Sequence, residues 1–195
     1  KPMETIMTLL LGDIVPDFTA DTTTGPISFH DWIGNDWAFF FSHPADFTPV
    51  CTTEMGRTAK LAFEFATRGV KPIGLSTDTA EEHLKWIEDV NETQNTTLRF
   101  PIVADPERKV AALYEMIHPG ESATAAVRSV FIIDPDKKLR LSMTYPMSVG
   151  RNFDEILRVI DALQTADEKG VALPADWRPG DRAIIPPSVS NAEAT

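Results

Sequence analysis

Cys51 is the single cysteine among 195 residues, and it carries the one side chain here that can act as a soft nucleophile. It stands in the run His43-Pro44-Ala45-Asp46-Phe47-Thr48-Pro49-Val50-Cys51-Thr52-Thr53-Glu54, beyond an apolar stretch that ends at Ser42 and just ahead of a helical pattern. Unpaired N–H groups and the positive dipole end at the first turn of a helix favour an anion, so a thiolate there gains over a free thiol titrating near ~8.5. The alternative is a buried structural cysteine, since free cysteine is among the most buried residue types. Position alone leaves both open. Thr48, three residues upstream, is close enough to aim its hydroxyl at the sulfur, while Pro44 and Pro49 stiffen the loop and exclude water.

Other chemistries find less support. One cysteine excludes an intrachain disulfide and a Cys-x-x-Cys reductase. His30, His43, His83 and His118 are scattered and none stands at ligand spacing from Cys51, so no metal and no cofactor is expected. His83 on a helix face and His118 in a Pro-Gly loop read as solvated or packed. The stretch Gly74-Leu75-Ser76-Thr77-Asp78 lacks the closing glycine of a serine-hydrolase elbow.

The elements that must position Cys51 alternate. Phe18 to Asp21 and Ile27 to Phe29 flank Gly25-Pro26 and predict a short hairpin. Trp37 to Ser42 is a continuous apolar run, fitting a strand buried on both faces. Met55 to Arg68 reads as a helix with Ala59, Ala62, Phe63 and Ala66 along one stripe and Gly69 closing it. Val70 to Ser76 is a second buried strand. Thr79 with Glu82 makes a capping box before a helix over 79–94 that uses Leu84, Ile87 and Val90. Phe100 to Ala104 is a strand, and Asp105-Pro106 starts a short helix with Val110, Leu113 and Tyr114 on its buried side. Ser129 to Asp134 and Leu139 to Tyr145 form a hairpin, and Asn152 with Glu155 caps a helix bearing Ile156, Val159, Ile160 and Leu163. Strand–helix alternation argues a parallel α/β sheet, and the late hairpin adds an antiparallel pair at one side.

Composition narrows the partners. Eighteen Lys and Arg against 29 Asp and Glu give a net charge of −11, with no basic run for nucleic acid or an anionic membrane. The apolar stretches Leu9 to Leu11 and Trp37 to Phe41 are far short of the roughly 20 residues that span a bilayer. No Arg-rich leader or signal peptide is legible, although residues 1–6 begin with Lys and could be a processing remnant; a cytoplasmic location is the expectation.

The motif P-x-x-x-T-x-x-C on Pro44, Thr48 and Cys51, inside the run from Asp46 to Glu54, resembles that of the peroxiredoxins, in particular the one-cysteine, type 6 branch of the AhpC/TSA-like family. Further matching stretches are Leu11-Gly12-Asp13, Pro16-Asp17-Phe18, His83-Leu84-Lys85-Trp86, Arg128 before Val130 to Ile133, Asp136-Lys137-Lys138-Leu139, Tyr145-Pro146 and Gly150 to Arg158. The resemblance covers about residues 9–187, and the tail up to Thr195 looks unrelated. It implies an α/β, thioredoxin-like fold with a central mixed sheet flanked by helices, as a peroxidase domain over 9–165 followed by a C-terminal arm over 166–195. The change of composition after Lys169, to a proline-containing stretch and a Ser/Asn/Ala-rich end, predicts an arm whose last eight residues are disordered.

By the same resemblance the reaction is reduction of hydrogen peroxide and organic hydroperoxides at Cys51, through a sulfenic acid. Thr48, the Cys51 backbone N–H and Arg128 are the donors it places around the peroxide, and Arg128 suits this because it keeps its charge and presents a rigid fork. Glu54 and Arg151 are expected to aim Arg128, and His43 to hydrogen-bond near the sulfur or to cap its strand. With no second cysteine, an external thiol is needed, glutathione or a thioredoxin-type protein, and a homodimer or higher homo-oligomer is expected. The family's lipase serine does not carry over: His30 and Asp136 match, but its Gly-Asp-Ser-Trp reads Gly34-Asn35-Asp36-Trp37. The non-enzymatic alternative is a redox sensor or chaperone-like interaction protein using the same cysteine.

Overall fold

The computed structural model describes residues 8–187. The elements, in chain order, are β1 Thr19–Ala20, β2 Ile27–Ser28, α1 Phe29–Ile33, β3 Trp37–Ser42, α2 Pro49–Lys60, α3 Ala62–Thr67, β4 Val70–Ser76, α4 Ala80–Thr93, β5 Ile102–Ala104, α5 Lys109–Leu113, β6 Arg128–Ile133, β7 Leu139–Tyr145 and α6 Phe153–Lys169. The chain divides into two compact units, one ending at Arg151 and one beginning at Asn152.

In the first unit the main sheet runs β5-β4-β3-β6-β7. Strands β3, β4 and β5 are parallel, and β6 and β7 continue the sheet antiparallel, the mixed arrangement that the alternation and late hairpin predict. β3 is central because both its faces are apolar. Ala38 and Phe40 face a core with Phe29, Ile73, Val103, Tyr114 and Phe131. Phe39 and Phe41 stack at 4.4 Å and meet Phe65 and Phe100. The hairpin β1–β2 is present but short, and Phe29 begins a helical turn rather than ending a strand.

Several boundaries differ from expectation for identifiable reasons. The helix predicted from Met55 begins at Pro49, with Thr48 extended as its N-cap, because proline's fixed φ suits the first helical position. It breaks at Leu61, and Phe63 is exposed while Phe65 is buried, so the stripe through Phe63 is wrong. In α4 the capping box forms as expected, but His83, Trp86 and Val90 are buried and Leu84 faces outward. α5 starts only at Lys109; Asp105 still accepts from the Val110 and Ala111 N–H groups, and Ala111 rather than Leu113 is buried.

The second unit consists of α6, capped by the Asn152 side chain on the Glu155 N–H and closed by Gly170 at φ 61°, and the segment after it. There Ala172 and Ile184 form a bridge, and the Trp177 indole donates to the Asp181 carbonyl. The tail predicted to be disordered, residues 188–195, lies outside the described residues. Among the described residues no helix is long and apolar enough to cross a membrane.

Candidate active site

Starting α2 at Pro49 puts Cys51 in its first turn. The first helical bond runs from the Thr52 N–H to the Thr48 carbonyl at 3.0 Å, so the Cys51 N–H lies among the first-turn groups that no i−4 carbonyl takes up. Cys51 is fully buried and is a free thiol, so burial by itself fits the structural alternative. Its neighbour bears on the alternative. The Arg128 Nη1 at the start of β6 donates to Cys51 Sγ at 3.2 Å, and a guanidinium held against sulfur serves an anion far better than a packed thiol.

Arg128 is itself gripped. Its Nη1 donates to Glu54 Oε1 at 2.6 Å, and its Nε and Nη2 donate to the Met147 carbonyl at 3.0 and 2.7 Å. Glu54 lies one turn after Cys51 on the same helix, which is why a carboxylate three residues on can share the cysteine's arginine. Its Oε2 accepts from the Arg151 Nε at 2.6 Å and the Arg151 backbone N–H at 3.0 Å, and its Oε1 from Arg151 Nη2 at 2.9 Å. The remaining Arg151 Nη1 donates to the carbonyls of Ser42 and Ser129, the end of β3 and the start of β6. Arg151 also lies 5.2 Å over the Phe41 ring. Arg151 thereby ties α2 to two strands, and Glu54 relays that position to Arg128. Burial pushes the Glu54 carboxyl up, but the hydrogen bonds and charge of Arg151, with the charge of Arg128, more than reverse it and hold it below its usual value.

The loop between β3 and α2 departs from expectation at Thr48. Its hydroxyl donates to the Ala45 carbonyl at 2.7 Å, so its proton is not aimed at the sulfur and only its lone pairs remain on offer. Pro44 is buried, whereas Pro49 is exposed. Phe47 is 55% exposed at φ 59°, a backbone region that bulky residues rarely adopt.

His43 is where sequence spacing misled most. The histidines are not all scattered, because the rings of His43 and His83 converge on one carboxylate, Asp46, at 2.7 and 2.5 Å. His43 Nδ1 is buried with no partner. Burial lowers the His43 pKa, against the opposing pull of Asp46. Asp46 is raised by burial but lowered further by hydrogen bonds from both imidazoles, to about 2. With Asp78, these groups bring potential ligand atoms within 4.8 Å of one another. Their contacts are the distances of N–H···O hydrogen bonds, with protons between the atoms, and no metal is assigned to them. Trp86 completes this side: its ring packs 4.8 Å from His43 and its indole donates to Thr52, the residue after Cys51. His83 and Trp86 belong to the i, i+3, i+7 stripe that closes with Val90, the one sequence signal that could have placed them inside. Asp46, far from His83 in the chain, gave no such signal.

His30, at a lipase position, is occupied elsewhere, its Nε2 lying 2.8 Å from the Val15 carbonyl.

Comparison with known proteins agrees with this geometry. The model for the AhpC/TSA family matches residues 11–142, and that for the C-terminal domain of 1-Cys peroxiredoxin matches residues 162–195. The second match corrects the reading of the tail as unrelated. A 1-Cys peroxiredoxin of Dictyostelium discoideum is 51% identical over 186 residues, 95% of this chain and 77% of that protein. Peroxiredoxin-6 of Homo sapiens is 52% identical over 194 residues, 95% and 87% of the two chains. The solved yeast mitochondrial 1-Cys peroxiredoxin, described for its thiol resolving mechanism via glutathione/thioredoxin systems, superposes with a TM-score of 0.91 at 52% identity, over 96% of this chain and 91% of the other. A thioredoxin-like sheet, a lone cysteine under an arginine and these matches together assign the chain to the AhpC/TSA family, within it to the one-cysteine peroxiredoxins, which are thiol peroxidases.

Proposed function

We propose that Cys51 reduces hydrogen peroxide and organic hydroperoxides and is then regenerated by an external thiol, with Arg128, Thr48 and Pro44 building the pocket. The observation that carries this reading is the 3.2 Å contact of Arg128 Nη1 with Cys51 Sγ inside a buried network. Two arginines and one carboxylate leave one positive charge over, which a Cys51 thiolate balances. The thiolate attacks the peroxide oxygen that bears hydrogen, an S–O bond forms as the O–O bond breaks to leave the sulfenic acid, and the departing alkoxide or hydroxide takes a proton from solvent, replacing the one released when the thiol ionised. Charge grows on both oxygens as they separate, so the Arg128 fork and the Cys51 N–H do their work in the transition state. Thr48, its own proton spent on Ala45, offers a lone pair to the hydroperoxide O–H and holds the substrate in line. Glu54 and Arg151 aim Arg128, and His43 presents its unpartnered Nδ1 as an acceptor in the same loop.

The resulting sulfenic acid condenses with one thiol to a mixed disulfide, releasing water, and a second thiol releases Cys51 with formation of the reductant's disulfide. Glutathione or a thioredoxin-type protein satisfies this chemistry, as named for the yeast relative. The sulfur is fully buried, so such a reductant reaches it only when the first turn of α2 opens. A homodimer or higher homo-oligomer is proposed as well, because β7 ends the sheet and, beyond Leu139, which bonds Gly12 and Asp13, no strand among the described residues pairs with its outer edge. A cytoplasmic location suits a free thiol that must stay reduced.

Intact-protein mass spectrometry after stoichiometric hydrogen peroxide, with glutathione or thioredoxin added in turn, tests the cycle. One oxygen on Cys51 that either thiol removes, over repeated turnovers, supports it. A single oxidation with no thiol-dependent turnover would favour the redox-sensor alternative.

A further inference from the structure

The peroxidase reading uses His43, but it does not say what holds that ring in one protonation state. His83 Nε2 lies 3.0 Å from the Val103 carbonyl, which can only accept, so this nitrogen carries a proton. His83 Nδ1 faces Asp46 Oδ2 at 2.5 Å. A neutral ring with its proton on Nε2 would press a bare lone pair against a carboxylate, so a second proton has to lie in that contact. On the other side, His43 Nε2 lies 2.7 Å from Asp46 Oδ1 while Nδ1 is buried without a partner. A proton on Nδ1 would strand a buried donor and set two acceptors face to face, and a proton on Nε2 removes both faults. Asp46 is held from behind, its N–H donating to Asp78 Oδ2, which also accepts from the Ser76 hydroxyl.

We propose that His83 and Asp46 are positioning residues for His43, an imidazolium–carboxylate couple that fixes His43 as the neutral Nε2–H tautomer and keeps its Nδ1 lone pair bare inside the catalytic loop. This deepens the peroxidase reading and rests on it. The couple also explains why α4 reaches the active site: His83 pins the loop that runs from His43 to Thr48, and one turn later Trp86 covers His43 and bonds Thr52 beside the cysteine. Burial favours the uncharged form of His43, in keeping with the neutral ring. The two histidines thus differ in role: His83 holds charge and geometry, and His43 holds an open acceptor.

The test begins on the unmutated, reduced protein, with long-range proton–nitrogen correlation of its four ¹⁵N-labelled histidines at neutral pH. The expected spectrum has His83 protonated on both nitrogens and His43 protonated on Nε2 alone. His83→Gln is then expected to give His43 a mixture of tautomers and to slow Cys51 oxidation by hydrogen peroxide, followed by mass, by about tenfold or more. A neutral His83 in the unmutated protein overturns the proposal without reference to any variant. So does a folded His83→Gln variant whose His43 signals and oxidation rate match the parent. Failure of the unmutated protein to react with peroxide would sink the peroxidase reading instead, and the tautomers would still decide the protonation assignment.

Discussion

Replacing Glu54 with glutamine removes one charge from the centre of the site and almost nothing else. The glutamate side chain is 3% exposed, and its partners Arg128 and Arg151 are 4% and 0% exposed, so solvent screens none of the change. Four hydrogen bonds converge on its two oxygens. A glutamine keeps one oxygen and turns the other into an NH₂ group facing a guanidinium. Removing one partner of a buried ion pair costs about 3–5 kcal/mol, and the lower end applies because volume and one acceptor survive. Glu54→Gln is therefore expected to lose about 3 kcal/mol at pH 7, which for a chain of this size corresponds to a Tm lower by about 6–12 °C. Arg128 keeps its two bonds to Met147 and its contact with Cys51 but loses the charge that aims it, so Cys51 oxidation is expected to slow about tenfold. The pH dependence gives an internal check. A carboxyl held below its ordinary value of 4.5 contributes stability that is present above that value and is lost as pH falls through its folded value. The gap between parent and variant must then narrow below about pH 4. Urea unfolding at pH 7 and at successively lower pH, at fixed protein concentration, measures both quantities, and rapid-mixing mass spectrometry measures the rate. A gap under about 1 kcal/mol at pH 7, unchanged in acid, with an unaltered rate, would refute the assignment of Glu54 as the group that aims Arg128.

Cys51→Ser is expected to abolish hydroperoxide consumption while leaving the circular dichroism spectrum intact, since oxygen replaces sulfur at nearly constant volume; turnover near the parent rate would end the cysteine mechanism. Arg128→Lys keeps the charge but has no planar fork to bond Cys51, Glu54 and Met147 together, so second-order oxidation should slow about tenfold or more, and equal rates would leave Arg128 a structural role only. Asp46, held down at about 2, lends stability that is complete above its ordinary value of 3.8 and is lost as pH falls toward 2. Asp46→Asn should be less stable at neutral pH and flatter between pH 4 and 2, and parallel unfolding curves for the two proteins would contradict that linkage. Graded peroxide without thiol should put two or more oxygens on Cys51 in proportion to activity lost, and full recovery by thiol after a large excess would show that the pocket protects the sulfenate.

Local chemistry was legible where neighbours in the chain decide the outcome. The Thr79–Glu82 capping box, the Asn152 cap and the β6–β7 hairpin form as their residues predict, because each is completed within a few positions. The apolar run of β3 was read as a strand covered on both faces, which its length and flanking turn residues favour, and it forms one. Helix faces were read less well. Phe63 and Leu84 looked like core by hydrophobicity and are exposed, while His83 is fully buried, with one ring nitrogen on the Asp46 carboxylate and the other on the Val103 carbonyl.

The site divides along the same line. Cys51, Thr48 and Pro44 fall within eight residues and could be recognised from the motif, and Glu54 shares the helix of Cys51. The groups that make the sulfur useful come from elsewhere in the chain: Arg128 lies 77 residues from Cys51, and Arg151 lies 97 from Glu54. Spacing cannot predict such contacts; only resemblance suggested them, and it was silent about Asp46. Its carboxylate gathers two imidazoles for a tertiary reason. The C-terminal ends of β3 and β4 lie side by side in the parallel sheet, so the loop leaving β3 and the first turn of α4 emerge at one edge. An acceptor on the first and a buried donor on the second then meet by topology. The Thr48 hydroxyl makes the converse point: three residues from the cysteine, it donates instead to the Ala45 carbonyl at 2.7 Å, a partner that spacing did not suggest.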